Sequence, residues 1–578
     1  MCVGFGPAAG GFLTTLTRAL PLADGRMPQI ICYERADDIG FGVSGVVTKA
    51  RAIRETFPQF DPSQIPTCAP VTTEKVVYLL DPIGASRRSV FLRAVDNALR
   101  VFAGECWAIE LPYIPTYLRK RGGLVMSIGQ FNQWVGSQLM STGAVQIWPG
   151  TPAAEPLLDG EKVVGVRLAD QENMPGLDIR AALTVVADGP VGCLGRQLDQ
   201  KFGRPDPHHV GDWAIGMKFV VNLPEDCPLP TGTVLHTLGY PEPEIFGFLY
   251  VYPERMASLG IFVPSWLESP VRTAYRYLQH WMLHPYLWRY LKGGTLRSWG
   301  AKTISESGRR GEPHLVGDGF ARIGEGSGST NVLSGSGVDE AWATGVMLAE
   351  AVVELLKENK PFTRQNLETT YVRRRRASWV EQEARVAERA RDGFHNGFIT
   401  GLLGMALVGA TRGRLYMPVR PRPPAAHTPD PATYYKGRIA ASELEKIRQT
   451  CAARGVSAHG VLMERIGWPA IPYDGKLLVS QQDALLMGGK VQAPPGYANH
   501  VVFFDSALCE RCATKICIEV CSGQAITPGE NGLPVFDRDK CVHCGACLWN
   551  CPVPHPDDPR RSVLEFRAAP GGLHSAEN

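Results

Sequence analysis

The sequence contains no apolar run that approaches the ~20 residues a membrane-spanning helix needs. It opens with no basic and apolar leader of the secretory kind, and neither sign of charge dominates, with 60 Lys and Arg against 57 Asp and Glu. Balanced charge gives no indication of a nucleic-acid partner. We therefore expect a protein of the cytoplasm or of a matrix-like compartment. At 578 residues the chain is too long for one core, so two to four domains are expected.

The C-terminal part of the chain is dense in cysteine. Eight of the 15 cysteines lie between residues 509 and 551 in two runs, the first spaced x2, x4 and x3 and the second x2, x2 and x3 with a proline directly after it. In two-cluster ferredoxins, three cysteines of one run and the fourth of the other hold each [4Fe–4S] cluster. That rule predicts one cluster on Cys521, Cys541, Cys544 and Cys547 and a second on Cys509, Cys512, Cys517 and Cys551.

The second predicted cluster is the less regular, because the gap before Cys517 is two residues longer than in the standard run. Structural zinc and disulfides are the alternatives. A structural zinc ion binds four ligands and does not require eight cysteines with a Cys-Pro ending. The cysteine pattern therefore favours a protein that carries electrons.

The N-terminal residues carry a dinucleotide-binding fingerprint. Gly4, Gly6 and Ala9 fit G-x-G-x-x-G/A, a helical run follows, and Glu34 ends the next apolar run. The glycines let backbone N–H groups approach a pyrophosphate at a helix N-terminus, and the acid binds ribose hydroxyls. A chance glycine-rich turn is the alternative.

Two later strand ends favour a flavin over a nicotinamide cofactor. Residues 184–187 predict a β-branched strand that ends in Asp188 and Gly189, and residues 321–331 predict another that ends in a Gly/Ser loop. A helix over 338–356 follows, with apolar positions at 3–4 spacing. Its N-terminus would present donors to a flavin ring or its phosphates. Glycine-rich strand ends so far apart in sequence are typical of FAD in an interrupted domain.

Two segments between these strand ends, residues 75–125 and 205–300, are rich in aromatics and proline and indicate an inserted, strand-rich domain. Residues 246–252 predict one of its strands. Residues 281–291 predict a helix that ends at a Gly-Gly pair and tolerates Pro285 near a break.

A basic helical run precedes an uncharged segment. Arginines cluster over 373–391, where they could serve docking or lipid, and residues 394–410 carry no charge. The uncharged segment is too short to cross a bilayer of ~30 Å, but its basic flanks suit an interfacial segment on anionic lipid. A buried hairpin with a solvated basic face is the alternative.

These residues together resemble the electron-transfer flavoprotein–ubiquinone oxidoreductase family, including bacterial relatives in which a ferredoxin-like protein accompanies the flavoprotein. The resemblance covers nearly the whole chain in order. It rests on the motifs at 4–9, 42–45, 246–252, 291–294, 300–302, 324–331, 397–409 and 541–544. It implies an α/β fold, α+β overall, with a glutathione-reductase-like FAD domain interrupted by a strand-rich quinone domain and followed by a ferredoxin-like domain. It also implies that residues 397–409 contribute to a monotopic membrane surface.

We accordingly divide the chain into six parts. The FAD-binding domain takes residues 1–75, 125–210 and 300–360, and the quinone or substrate domain takes residues 75–125 and 210–300. The remainder comprises a helical region with the interfacial segment (361–416), a proline-rich linker (417–435), a connecting region (436–500) and a ferredoxin-like 4Fe–4S domain (501–578).

The resemblance also implies cofactor and substrate contacts. FAD contacts fall on Gly4, Gly6, Ala9, Glu34, Ser44, Gly45, Gly328 and Asn331, to which the strand ends add Asp188, Gly189 and Glu325. The quinone lies between Phe246, Gly247 and Tyr250 on one side and the turn Gly293 and Gly294 on the other. Four features depart from the family. Glu325 stands where Asp is frequent, Ser127 stands where Arg is common, and Asp188 with Gly189 matches a family Glu-Gly or Asp-Gly pair only loosely. Thiolates also suffice for two clusters, where mitochondrial-type members have one.

The function that the resemblance implies is an electron-transfer flavoprotein:quinone oxidoreductase. It would take electrons from the electron-transfer flavoprotein heterodimer and pass them through 4Fe–4S clusters and FAD to a membrane quinone. The expected location is the cytoplasmic face of the inner membrane, or a mitochondrial-matrix-like compartment. Two alternatives remain, a soluble ferredoxin-fed flavoenzyme that reduces an isoprenoid-type double bond, and an electron-carrier subunit of a larger complex. No side chain is expected to act as an acid or base, since the cofactors carry the chemistry.

Overall fold

Two large sheets and a cysteine-rich C-terminal domain build the protein. Its structure is a computed structural model that describes residues 1–21, 25, 27–40, 45–170, 175–208, 211–487, 500–558 and 561–567. The first large sheet has six strands, of which five run parallel and one edge strand is antiparallel. Its strand order is Val316–Gly317, Phe320–Arg322, Thr184–Val186, Cys2–Val3, Ile31–Tyr33 and Gln146–Trp148.

The strand Cys2–Val3 lies in the middle of the six-stranded sheet although it has only two residues. It pairs in parallel with Thr184–Val186 on one side and with Ile31–Tyr33 on the other. Parallel strands end at the same edge of a sheet, so the residues that follow them come together there. The three glycine-rich strand ends of the sequence therefore meet at one edge.

The second large sheet has seven strands drawn from two separate parts of the chain. Its only parallel pair joins Thr73–Leu79 to Thr233–Leu238, and its other pairs are antiparallel. The helix Ala274–Met282 packs against it and contributes Trp281 and Leu278 to the largest hydrophobic core. The strand order is Thr295–Ser305, Trp213–Asn222, Met256–Pro264, Phe246–Val251, Thr233–Leu238, Thr73–Leu79 and Ala108–Glu110.

The smaller sheets connect these units. The three-stranded sheets are Asp178–Arg180, Lys162–Leu168 and Ala153–Asp159, and Val46–Thr48, Leu124–Met126 and Ala69–Pro70; the two-stranded sheets are Val501–Phe503 with Leu564–Phe566 and Ile526–Pro528 with Pro534–Phe536. The longer helices are Pro7–Arg18, Val90–Ala103, Ile128–Ser141, Cys193–Phe202, Ala274–Met282, Val338–Lys357, Trp379–Ala387, Phe398–Thr411 and Ala441–Ala453. The shorter α-helices are Arg51–Thr56, Pro285–Leu291, Arg364–Leu367, Arg373–Ala377, Pro431–Tyr434, His459–Arg465, Gln481–Ala484, Ser506–Arg511, Ile516–Glu519 and Ala546–Asn550.

The fold class predicted from the sequence is confirmed, while two local predictions need correction. The segment 281–291 is not one helix, because Pro285 cannot donate a backbone hydrogen bond and instead begins a new helix, Pro285–Leu291. The uncharged segment is the single helix Phe398–Thr411, with one face buried, and not a hairpin. Within the described residues, every helix is too short or too polar to cross a bilayer.

Most arginines of the run 373–391 form hydrogen bonds or ion pairs within the protein. This corrects the expectation that the run serves docking to a partner or binding to lipid. Arg375 is buried and donates to the hydroxyl and the carbonyl oxygen of Ser327, at 2.7 and 2.6 Å. Arg376 bridges two buried carboxylates, Glu312 and Glu381, and its Nη1 lies 2.9 Å from an oxygen of each. The guanidinium groups thus tie the helix Arg373–Ala377 to the loop after the strand Phe320–Arg322.

Candidate cofactor cavity and cluster site

One cavity of about 620 Å³ lies between the carboxyl ends of the parallel strands and one face of the seven-stranded sheet. Residues from all three glycine-rich strand ends line it on one side. The strands Thr233–Leu238 and Phe246–Val251 line it on the other. Its far end reaches Leu402 and Met405 of the helix Phe398–Thr411. The cavity therefore runs from the nucleotide-type turn to the uncharged helix.

The turn at Gly4 and Gly6 has the shape that a pyrophosphate requires. Gly4 has φ +92°, and a Cβ there would lie 2.6 Å from the carbonyl oxygen of Ala187, so only glycine fits. A Cβ on Gly6 would meet no atom of the described chain within 4 Å, so this side of the turn is open. The helix Pro7–Arg18 begins here without a side-chain cap. Its first amides thus face open space in which a phosphate would be bound.

The carboxylate of Glu34 is held by backbone amides at the end of the strand Ile31–Tyr33. Its Oε2 accepts from the N–H of Phe5 at 2.7 Å, and its Oε1 accepts from the N–H of Ala36 at 3.0 Å. Both bonds fix the carboxylate at the wall of the cavity, where it suits a ribose hydroxyl pair.

Two further acids follow the other parallel strands. Asp188 accepts from the N–H of Gly195 at 2.9 Å, and burial raises the pKa of its carboxyl. Glu325 accepts from the N–H of Ser305 at 3.0 Å and pairs with Lys302 at 3.1 Å. Glu325 therefore joins the loop after the strand Phe320–Arg322 to the seven-stranded sheet.

The structure brings most of the predicted site residues to the cavity. Those that line it are Gly4, Gly6, Glu34, Gly45, Asp188, Gly189, Glu325, Phe246, Gly247 and Tyr250. Ser44 lies outside the described residues.

Five predicted contacts do not line the cavity. Ala9 points into the core and is fully buried there. Gly328 packs against Glu312, and Asn331 accepts from the backbone N–H groups of Leu333 and Ser334.

Gly293 and Gly294 directly precede the strand Thr295–Ser305 and lie at the end of it that is remote from the cavity. A Cβ on Gly293 would face Pro224, and a Cβ on Gly294 would face the carbonyl oxygen of Asn222. The strand Thr295–Ser305 first reaches the cavity at Lys302, which at 3.3 Å per residue is about 25 Å further along. The structure therefore does not bring this turn to the cavity, and the quinone contact there stays a prediction.

Two basic side chains of the seven-stranded sheet, Lys218 and His236, line the cavity and were not predicted from the sequence. Lys218 is buried and donates to the carbonyl oxygen of Gly45 at 3.0 Å; burial, and secondarily Lys302, lowers the pKa of Lys218 to about 7. Burial lowers the pKa of His236 to about 3, so its ring is neutral. The sequence does mark both residues, because Lys218 and His236 are each the one basic residue in a largely apolar strand.

The eight C-terminal cysteines form two groups that cross between the two runs. Burial and, after it, the adjacent thiols of Cys551 and Cys512 raise the pKa of Cys509 to about 11. Burial also raises the pKa of Cys547, to which the thiols of Cys544, Cys541 and Cys521 add. Each group thus takes three cysteines from one run and one from the other, as the cross-ligation rule predicts.

The thiol surroundings suit iron–sulfur ligands better than disulfides. All 15 cysteines lie in described residues and all are free thiols. The sulfur of Cys521 accepts from the N–H groups of Ala525 and Ile526 at 3.1 and 3.3 Å, and that of Cys541 from His543 at 3.4 Å. Backbone donors of this kind stabilise a cluster thiolate.

The cluster loop 541–547 touches the walls of the cavity at two points. The carbonyl oxygen of Cys544 accepts from the N–H of Thr303 at 2.9 Å, one residue after Lys302. A Cβ on Gly545 would lie 2.9 Å from Val191, two residues after Gly189. The loop therefore packs directly behind residues that line the cavity.

Comparisons with known proteins agree with this architecture. Residues 213–304 match the family described as ETF-QO, ubiquinone-binding, and residues 533–555 match a 4Fe-4S binding domain. The electron transfer flavoprotein-ubiquinone oxidoreductase of Arabidopsis thaliana is 29% identical over 418 residues, which cover 70% of this chain and 60% of that protein. The protein of the same name from Pseudomonas aeruginosa is 26% identical over 397 residues, which cover 66% of this chain and 67% of that protein.

Among solved structures, a geranylgeranyl bacteriochlorophyll reductase-like protein from Thermoplasma acidophilum aligns with a TM-score of 0.49 and 15% identity, covering 78% of this chain and 98% of that one. The fold, the cavity and the cysteine groups together define a flavoprotein with an iron–sulfur domain. The matches confirm the resemblance in the motifs: the chain contains an ETF-QO ubiquinone-binding domain and a 4Fe-4S binding domain, and about two thirds of it is similar to electron transfer flavoprotein-ubiquinone oxidoreductases. It spans 60% of the length of the Arabidopsis relative.

Proposed function

We propose that the chain is an electron-transfer flavoprotein:quinone oxidoreductase, which takes electrons from the electron-transfer flavoprotein heterodimer and delivers them to a membrane quinone. One observation carries the proposal. A single cavity joins the pyrophosphate-type turn at Gly4 and Gly6 to the uncharged helix Phe398–Thr411, and the cluster loop 541–547 packs against its wall. A route for electrons and an entry for an apolar substrate thus meet in one place.

The chain's own residues bind and orient the cofactors. The turn at Gly4 and Gly6 and the helix Pro7–Arg18 would hold the pyrophosphate of FAD, and Glu34 its ribose. When bound, FAD exchanges two electrons and each 4Fe–4S cluster exchanges one. Lys218 and Lys302 line the cavity, and the protonated form of Lys218 would favour a negatively charged ring system there.

Two [4Fe–4S] clusters complete the proposed cofactor set. Cys521, Cys541, Cys544 and Cys547 would hold one cluster, and Cys509, Cys512, Cys517 and Cys551 the other. The matched 4Fe-4S domain includes Cys541, Cys544, Cys547 and Cys551 but no cysteine of the first run. The grouping of Cys509 with Cys551 and Cys512 is the support for the second cluster.

The quinone would enter past the uncharged helix and bind along the strand Phe246–Val251. Phe246, Gly247 and Tyr250 line that part of the cavity. A Cβ on Gly247 would lie 2.4 Å from Nε1 of Trp281, so the glycine keeps the strand close to the helix behind it.

The proposal is tested by reoxidation of the reduced flavin. The full chain is reduced with electron-transfer flavoprotein and mixed with a short-chain quinone in a stopped-flow instrument. We expect the flavin absorbance to return in a quinone-dependent phase. A flavin that stays reduced at every quinone concentration, yet is reoxidised by an isoprenoid alkene, would refute the proposal in favour of a double-bond reductase.

A peripheral membrane surface belongs to the same proposal. The helices Val90–Ala103 and Phe398–Thr411 cover one hydrophobic cluster and present apolar side chains outward. Val90, Phe102 and Leu403 are 83%, 80% and 59% exposed. Exposed apolar side chains of this size, grouped on one surface, are typical of an interface with a membrane or a protein. We infer that this surface faces the bilayer, so that quinone enters the cavity from the lipid.

Phe102→Glu is expected to reduce binding to anionic lipid vesicles by about tenfold, because one large apolar side chain no longer leaves water. Cosedimentation of the full chain with vesicles measures the loss. Leu177→Glu is the matched control, since Leu177 is 65% exposed on the strand-rich edge of the FAD side and should not affect binding. Equal binding of the two variants would contradict the membrane assignment.

A further inference from the structure

A line of buried imidazole and carboxylate groups leads from the surface towards the cavity. It consists of His427, His395 and Asp212, which are 1%, 3% and 2% exposed. None of them is required to hold FAD, a cluster or the quinone in the function proposed above. Buried polar groups cost stability unless they are paired, so a buried line of them requires an explanation.

The three groups are in contact from end to end. Nε2 of His427 lies 2.9 Å from Nδ1 of His395. Nε2 of His395 lies 3.0 Å from Oδ1 of Asp212, and neither of these two buried atoms makes a hydrogen bond within the described chain, so each can take part in a proton transfer to the other. Both separations are within reach of a proton transfer.

Arg422 fixes where each ring carries its proton. Its backbone N–H donates to Nδ1 of His395 at 3.2 Å, and its Nη2 lies 3.2 Å from Nδ1 of His427. A guanidinium and an amide can only donate, so both Nδ1 atoms accept and both rings carry the proton on Nε2. Burial lowers the pKa of His427 to about 3, which keeps this ring neutral at rest. The donors of the two rings therefore point in one direction, towards Asp212.

The line is connected at both ends. At the outer end, Nδ1 of His427 lies 3.8 Å from the carboxylate of Glu268, which is half exposed. At the inner end, burial raises the pKa of the Glu306 carboxyl and the nearby charge of Asp212 adds to that rise, so the two carboxyl groups are close; the backbone N–H of Glu306 also donates to the carbonyl oxygen of Asp212 at 2.9 Å. Glu306 pairs with Arg391 at 3.3 Å, and both side chains line the cavity.

We propose that His427, His395 and Asp212 form a proton path from the surface at Glu268 to the quinone cavity. The proposal rests on the proposed function, because a quinone that accepts two electrons from the flavin also takes up two protons to become a quinol. In each passage a proton from solvent binds Nδ1 of His427, the proton on its Nε2 moves to Nδ1 of His395, and the proton on Nε2 of His395 moves to the Asp212 carboxylate. Asp212 passes it to the Glu306 carboxylate, which gives it to the quinone oxygen. Both imidazole rings then carry their proton on Nδ1, and they turn over to return it to the Nε2 side before the next passage. No residue on the path is oxidised or reduced.

The test separates proton delivery from electron delivery in the same protein. The full chain is reduced, and flavin reoxidation is followed with a short-chain quinone, which needs protons, and with ferricenium, which takes one electron and no proton. For His395→Asn we expect reoxidation by quinone to slow at least about tenfold, with an increased solvent deuterium isotope effect, and reoxidation by ferricenium to stay at the wild-type rate. The unchanged ferricenium rate also shows that the variant is folded.

Two further variants sharpen the test. For His427→Ala, added imidazole is expected to restore the quinone rate, because His427 lies at the outer end of the path. His208→Asn is the matched control, since His208 is half-buried, contacts the carbonyl oxygen of Glu312 and lies off the path. If His395→Asn slowed flavin reoxidation by quinone and by ferricenium equally, or slowed neither, the proton path would be overturned while the proposed function stayed intact. A wild-type protein inert to quinone would overturn the proposed function itself.

Discussion

Cys544→Ala is expected to cut the rate of flavin reduction by electron-transfer flavoprotein about a hundredfold or more, and to lower the iron content from about eight to about four per chain. Mutation even of groups outside the ligand shell costs 10–100-fold in metal affinity, so loss of a ligand costs at least as much. Cys544 belongs to the cysteine group whose loop contacts Thr303 at the cavity wall, so this cluster is the one placed to pass electrons to the flavin.

The measurement is iron analysis and stopped-flow reduction of the purified full chain. Chemical reduction with dithionite, followed by reoxidation with quinone, should be unaffected, because those steps bypass the cluster. Cys68→Ala is the matched control, a half-buried single cysteine outside both runs. An iron content that stays at about eight, or a wild-type rate of reduction by electron-transfer flavoprotein, would refute the assignment of Cys544 as a ligand.

Spacing along the sequence was sufficient to predict the cysteine groups. The ligand rule for two-cluster ferredoxins depends on chain-local turns, and such turns follow from spacings of two to four residues. The glycine fingerprint was predictable for the same reason, since Gly4 and Gly6 act through their own backbone. Both motifs carry their geometry within a few residues, and in the structure Gly4 and Gly6 line the cavity and the cysteines of the two runs lie near one another.

Contacts between distant elements could not be predicted in this way. His395 and His427 are 32 residues apart and meet Asp212 only because the helical region folds back on the seven-stranded sheet. No local pattern marks such a meeting. The distance of Gly293 and Gly294 from the cavity could not be predicted for a related reason, because their place in the family motif says nothing about how far the following strand runs before it reaches the cavity.

Gly345→Ala is expected to destabilise the FAD-binding region by about 3 kcal/mol or more, at the upper end of overpacking in a core. A Cβ on Gly345 would lie 2.0 Å from the carbonyl oxygen of Ala8 and 2.7 Å from the N–H nitrogen of Phe12. The reverse contact is as close, since a Cβ on Gly11 would lie 2.4 Å from the carbonyl oxygen of Trp342. The helices Pro7–Arg18 and Val338–Lys357 thus touch backbone to backbone, and no side-chain rotation can relieve the clash.

Gly345→Ala should also weaken FAD binding, because Ala8 lies in the first turn of the helix that would bind the pyrophosphate. Thermal release of flavin fluorescence and flavin content after purification measure both effects, and we expect a lower midpoint together with substoichiometric FAD. Gly460→Ala is the matched control within the helix His459–Arg465, where the nearest atom to the new Cβ is a flexible arginine nitrogen at 3.7 Å. That change should be neutral or stabilising by up to about 1 kcal/mol, since alanine favours a helix over glycine. If Gly345→Ala were as stable as Gly460→Ala, the two long helices could not pack as closely as this fold requires.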